Sequence, residues 1–275
     1  MTMSDVPGHY SRGVLRARLR AALIDDGADP DHPSLDALAP YDQFHGRGLE
    51  ATIEIADALA VSAADHLLDV GSGIGGPARY FANRFGCHVT GIDLTDEFCD
   101  VARELTRAAG LGARVDFTTG DALAMPFAGE RFDGAYSMNV SMNIADKTAL
   151  YREIHRVLKP GGWLVLSEIA KGTGDDPDFP TPWAASAKTS FLASPEATTS
   201  GLAAAGFDVV QMRSTRADAL AGIARARAMV DRGEKPPHRA VSLIHGELAA
   251  AAMANTARAL ADGRLEPIEV IAHRR

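Results

Sequence analysis

The chain has 275 residues, 46% of them apolar, with a formal net charge of −8. It is long for one domain and short for two, and the acidic balance argues against a general binder of nucleic acid or anionic membranes. Cys87 and Cys99 are too few for a disulfide framework and lack metal spacing, no apolar run approaches the roughly 18 residues of a membrane span, and MTMSDVPGHYSRG offers no secretory segment, so a cytoplasmic protein is expected.

Residues 1–10 read as a tail. In RGVLRARLRAALIDDG (12–27), Val14, Leu15, Leu19, Ala22 and Leu23 fall near helical spacing, and Gly27 ends the helix. The arginines at 12, 16, 18 and 20 form its solvated face. ADPDHPSLDALAP (28–40) reads as turn, and GLEATIEIADALAV (48–61) as a second helix. Strands follow at 66–70, 87–92, 114–118, 132–137 and 162–168. Helices at about 75–85, 96–109 and 145–158 separate them. Such alternation predicts a doubly wound α/β fold, a parallel sheet covered on both faces. TGDDPDFPTPW (173–183) is a long loop, because Pro177, Pro180 and Pro182 preclude a regular helix. A helix at 194–207 and the strand FDVVQMRST come next, then long helices at about 216–232 and 238–262. RLEPIEVIAHRR closes the chain as a strand. The expected organisation is an N-terminal helical extension over 1–47 and one domain over 48–275, with a helical insertion at about 216–262. Both additions lie outside the repeating pattern yet carry apolar faces, which predicts a lid.

The chemistry gathers at LLDVGSGIGG (67–76), an apolar strand turning into a helix through four glycines. Gly71, Gly73 and Gly76 match G-x-G-x-x-G, and Asp93 follows 22 residues after Gly71, where a carboxylate can take two adjacent hydroxyls. Turn and acid together mean a nucleoside cofactor, whether a dinucleotide or another adenosine. Asp69, two residues before the first glycine, opposes a pyrophosphate by like-charge repulsion. It suits a ligand with a cationic amino group or sulfonium. An NAD(P)-binding oxidoreductase stays as the alternative, without a visible second domain or hydride-transfer dyad. The acid of GDALAMPF (120–127) can reach a purine's exocyclic amine. EIHRVLKPGGWLVLSE (153–168) joins a helix to the fifth strand through a tight break.

With DVGSGIGG, GIDLT, GDALAMPF and LKPGG, residues 41–215 resemble the class I S-adenosylmethionine-dependent methyltransferases. YDQFHGRGLEAT, GGPARYFA and VSMNIADK look like the small-molecule branch that includes sarcosine/dimethylglycine and tocopherol-type enzymes. The resemblance implies a seven-stranded Rossmann-like sheet with an antiparallel last strand, and S-adenosylmethionine as cofactor. It places the methionine end on Asp69 and the backbone of Gly71 and Gly73, and the ribose hydroxyls on Asp93. Leu94, Asp121 and Ala122 fall to the adenine, and Asn139 to the methionine moiety or the methyl group.

Methyl transfer is an in-line displacement that positioning alone can accelerate greatly. An unprotonated amine needs no base, whereas a hydroxyl does. Glu168 at the end of the fifth strand and His45 in DQFHGRG are the candidates for handling a proton. Tyr41, Asn143, Trp183 and His245 are candidates for shaping or contacting the acceptor, and the segment of Tyr41 and Gln43 for folding over the cofactor. Each has a plainer alternative: a paired carboxylate for Glu168, a loop histidine bonded to backbone for His45, a turn cap for Asp121, a loop anchor for Trp183. Met138 and Met142 read as packing. The expected partner is a small molecule whose nitrogen, oxygen or carbon is methylated. Nucleic acid and metal are not expected, and self-association is left open.

Overall fold

The computed structural model describes residues 14–275; the tail at 1–10 and Arg12 lie outside the described residues. Seven strands form one sheet in the order β3-β2-β1-β4-β5-β7-β6. They are β1 (His66–Val70), β2 (His88–Asp93), β3 (Val115–Thr119), β4 (Phe132–Met138), β5 (Leu158–Lys171), β6 (Phe207–Ser214) and β7 (Leu265–Arg274). The first five run parallel, and β7 lies antiparallel between β5 and β6. The chain winds outward from β1 to β3 and then returns to β4 beside β1. That reversal opens a crevice at the carboxyl ends of β1 and β4, where open α/β sheets bind ligands.

Three helices precede the sheet: α1 (Leu15–Asp25), α2 (Leu35–Asp42) and α3 (Leu49–Asp57). The crossovers are α4 (Gly76–Phe85), α5 (Asp96–Ala108), α6 (Lys147–Val157) and α7 (Pro195–Ala204). Side chains alternate across the strands, as the two-residue period requires. Leu68, Val70, Ile92 and Leu164 pack with Leu150 and Ile154 of α6. Leu67, Val89, Phe117 and Val165 face the other way, onto Ile55 of α3 and Phe81 of α4. Full burial of each such side chain contributes about 1.5–3 kcal/mol. Asp69 shares the face of Leu67, so the sheet itself buries a carboxyl.

Between β6 and β7 lie α8 (Arg216–Asp231), α9 (Ala240–His245) and α10 (Ala249–Ala261). The helix expected over 238–262 is thus broken, at Gly246, whose φ of 55° lies outside the helical region. The turn expected over 28–40 is also corrected, because α2 begins inside it. Ser34 caps that helix by accepting from Ala37 N at 3.2 Å, a signal masked by neighbouring prolines. Lys-Pro-Gly-Gly is a bulge within β5: Phe132 pairs with Leu158 but Gly134 with Trp163.

The N-terminal helices and the insertion join each other. Leu15, Leu19, Leu23, Leu38 and Tyr41 share one apolar cluster with Leu243 of α9 and with Phe98 and Leu105 of α5. Lys235 binds Asp26 at 2.7 Å, Arg239 pairs with Asp26 and lies 4.6 Å above the Tyr41 ring, and Arg239 N donates to Pro40 O at 2.7 Å.

Candidate functional site

The turn after β1 is pinned down before it meets any ligand. Gly71 N and Ser72 N both donate to Ile92 O, at 2.8 and 3.0 Å. Gly71 and Gly73 have φ of 74° and 53°, conformations that side chains resist. Space forbids a side chain as well. A Cβ at Gly71 would run into Val140, and one at Gly73 would lie 3.0 Å from the Phe44 ring. The turn is therefore bare backbone between two apolar walls, at the floor of a cavity.

Asp69 lies at that floor, 2% exposed. Its Oδ2 has no hydrogen-bond partner, and neither does the buried Ser72 hydroxyl. Tyr136, its register partner on β4, favours the ionised carboxyl without making a hydrogen bond of normal geometry. Burial dominates and pushes the carboxyl up to about 8. A carboxyl held in this way ionises readily only beside a cation.

Asp93 ends β2 and buckles two turns together: Oδ2 accepts from Gly73 N and Oδ1 from Thr95 N, each at 2.9 Å. Burial raises it, and those amides oppose the rise. Each oxygen keeps a lone pair. Leu94 and Ala122 line the same cavity. Asp121 shapes it from behind, with Oδ1 accepting from Leu123 N at 2.8 Å.

Asn139 leaves β4 with φ of 58°. Its amide bridges two segments, with the nitrogen 3.2 Å from Ser167 O and the oxygen 2.9 Å from Gly46 N. Asn143 also lines the cavity and donates to Trp183 O at 2.7 Å. His45 closes the opposite side: Nδ1 meets Gly46 O, and Nε2 meets Gln43 Oε1 and the Thr52 hydroxyl, all at 3.1 Å. Burial pushes it down to about 3, so the ring is neutral at physiological pH.

Besides Asp121 and Gln43, four sequence-predicted residues lie outside the cavity lining. Tyr41 donates to Asp26 Oδ2 at 2.6 Å, at the junction of the N-terminal helices with the insertion. Trp183 is buried beside Met142 and Leu260, and its indole donates to Ser190 Oγ at 3.0 Å. His245 ends α9, away from the cavity-lining residues. Glu168 turns its carboxylate onto backbone amides, Ser141 N at 3.0 Å among them.

Sequence reasoning missed Asp42, which lines the cavity, and its partner Arg79, at 2.8 Å. Arg79 is fully buried and also donates to Thr106 Oγ1 at 3.1 Å. The signal was an arginine in the first turn of a helix, against the dipole, which calls for a nearby acid. Arg79→Met is expected to lose about 3–5 kcal/mol of stability, since it strands a buried carboxylate. Denaturant titration should show Asp42→Asn restoring part of that loss; an additive double variant would refute the pairing.

Residues 68–166 match the model of a methyltransferase domain. The chain is 36% identical over 162 residues to methyltransferase GfsG of Streptomyces halstedii, covering 58% of this chain and 56% of that protein. Its fold is similar to that of Haemonchus contortus phosphoethanolamine N-methyltransferase 2 in complex with phosphomonomethylethanolamine and S-adenosylhomocysteine. There the TM-score is 0.70 at 21% identity, over 84% of this chain and 54% of that one. It is also similar to the [4+2]-cyclase SpnF, with a TM-score of 0.66 at 24% identity over 94% and 93% of the two chains. The chain thus spans about half the length of GfsG and of the phosphoethanolamine enzyme. Among the described residues, no helix is long and apolar enough to cross a membrane, and no group of three His, Cys, Asp or Glu side chains is placed to hold a metal ion.

Proposed function

We propose that this chain, whose residues 68–166 match a methyltransferase domain, is a class I S-adenosylmethionine-dependent methyltransferase that transfers a methyl group to nitrogen, oxygen or carbon of a small molecule. One observation carries the reading: a buried acid, Asp69, whose Oδ2 has no hydrogen-bond partner, beside a turn stripped of side chains. The cavity's residues fit the cofactor, which supplies an electrophilic methyl on a cationic sulfur and carries a cationic ammonium. Asp69 takes the ammonium, with the Ser72 hydroxyl at hand and the backbone of Gly71 and Gly73 beneath. Asp93 accepts from the ribose hydroxyls. Leu94 and Ala122 flank the adenine, the second on a turn that Asp121 holds. Asn139 stands at the methionine moiety.

Transfer then depends mainly on alignment, which is worth up to roughly 7–11 kcal/mol in favourable models. His45 and Asn143 flank the acceptor, and the neutral imidazole, both of whose nitrogens are held by Gly46, Gln43 and Thr52, is a fixed wall that stores no charge. Tyr41, Trp183 and His245 shape the acceptor's surroundings from outside the cavity lining. A dinucleotide enzyme fits less well, because a pyrophosphate brings further negative charge, and no cation, to a buried acid. The two cysteines are free and buried, which suits a reducing cytoplasm.

Calorimetry with S-adenosylhomocysteine and with NAD tests the cofactor. Tight binding of the first and none of the second is expected; the reverse would end the reading. Labelled-methyl transfer to amines, alcohols and alkenes then tests the activity. Cofactor binding without transfer to any acceptor would leave a different chemistry on this fold. Residues 14–47 and 216–262 are proposed to cover the cavity. Hydrogen exchange in both should slow with S-adenosylhomocysteine, and unchanged rates would count against a cover.

A further inference from the structure

One wall of the cavity is a single short 3-10 turn, Ser141–Asn143, reached from β4 through Asn139 and Val140. A turn of this length makes few hydrogen bonds of its own, and its N-cap residue, Val140, has no side chain that can cap it. Two charged side chains hold it from outside. Glu168 on β5, 3% exposed, accepts from Val140 N at 3.1 Å, Ser141 N at 3.0 Å and the Ser137 hydroxyl at 3.3 Å. Lys147, the first residue of α6, donates through Nζ to Ser141 O, Ile144 O and Phe191 O, each at 2.6 Å. The carboxylate takes the amides entering the turn, and the ammonium takes carbonyls leaving it. That polarity matches the turn's own dipole, and the carboxylate satisfies entering amides that the turn itself leaves unpaired.

Neither side chain lines the cavity, whereas Asn139, Val140, Asn143 and Ile144 do. Val140 is also the residue against which the bare Gly71 is fitted. Burying the two charges is costly: burial pushes Glu168 up to about 7 and Lys147 down to about 8. An apolar pair would fill the same space at less cost. What the charges add is direction, since each fixes named backbone atoms. The left-handed φ at Asn139 is strain of the kind surrounding structure must enforce.

We propose that Glu168 and Lys147 are a positioning pair that clamps the 139–144 wall against the glycine turn and so sets where cofactor and acceptor lie. The proposal rests on the reading that the cavity takes S-adenosylmethionine. On it, Glu168 acts through Val140 and Ser141 and moves no proton.

The test compares the full-length protein with Glu168→Gln, Glu168→Met and Lys147→Met. The measurements are S-adenosylhomocysteine affinity, Tm and amide exchange over 138–146. Glu168→Met and Lys147→Met should each weaken the ligand about tenfold, as expected for hydrogen bonds to charged groups. Exchange should quicken in 138–146 while β1 and the middle of β5 stay protected. Glu168→Gln keeps an acceptor oxygen and should recover part of the affinity. Together the two Met substitutions should cost less than their sum. Unchanged affinity and protection would overturn the proposal. So would exchange rising evenly across the sheet with Gln no better than Met, which would mark a merely structural role. If the Glu168 variants do not fold, Lys147→Met decides by the same measurements. If the unmodified protein binds no S-adenosylhomocysteine, the cofactor reading fails, and exchange over 138–146 still judges the clamp.

Discussion

Asp69→Asn is expected to fold as well as the unmodified protein and to bind S-adenosylhomocysteine about 100-fold more weakly, a loss on the order of 3 kcal/mol. Burial holds the Asp69 carboxyl protonated up to about pH 8, so near neutrality asparagine replaces a neutral group of the same shape. The ligand's ammonium requires the charged form. Below pH 8 binding therefore expels a proton, and affinity rises with pH by up to about tenfold per unit before levelling. The Asn variant should lack this slope. The folding sign is opposite. A carboxyl whose pKa is raised by folding binds protons in the native state that the unfolded chain has already lost. Ligand-free stability therefore falls as pH climbs from the ordinary carboxylate range through about 8, and falls less in the variant. Calorimetry across pH 6–9 and thermal melts check both signs. A flat affinity profile in the unmodified protein would remove Asp69 from the ammonium site.

Gly71→Ala should cost about 2–4 kcal/mol, combining left-handed strain with overpacking. The new methyl would enter the space of the Val140 side chain. Affinity for S-adenosylhomocysteine should fall by at least about tenfold, since a misplacement near 1 Å at such a site is expensive. Val140→Ala in the same chain should relieve the collision but not the backbone strain, restoring only part of the stability. A Gly71→Ala protein with unchanged melting and binding would show that the turn tolerates a side chain.

Much of this site could be read from local sequence because its parts obey local rules. A strand that must bury both faces and then turn sharply has few spellings, and Leu67–Gly76 is one of them. β1 falls on residues 66–70 as expected, and β2 to β4 within a residue or so. What escaped depends on contacts between distant segments. Tyr41 looked like a cavity residue because it neighbours Gln43 and His45, but a helix separates its direction from theirs and sends it to Asp26. Glu168 looked available for a proton because strand periodicity puts it at the ligand edge. No periodicity reports that Val140 and Ser141 fold back onto it. Asp42 was visible in the same quoted segment as His45, and only the misplaced Arg79 pointed to it.

β7 follows β5 and β6 along the chain yet sits between them in the sheet. While the chain is still emerging from the ribosome, two raw strand margins must wait side by side for residues 265–274, and both invite pairing with foreign chains. A premature stop before Leu265 would remove the strand that joins β6 to the sheet, so such a product should be captured by chaperones or aggregate.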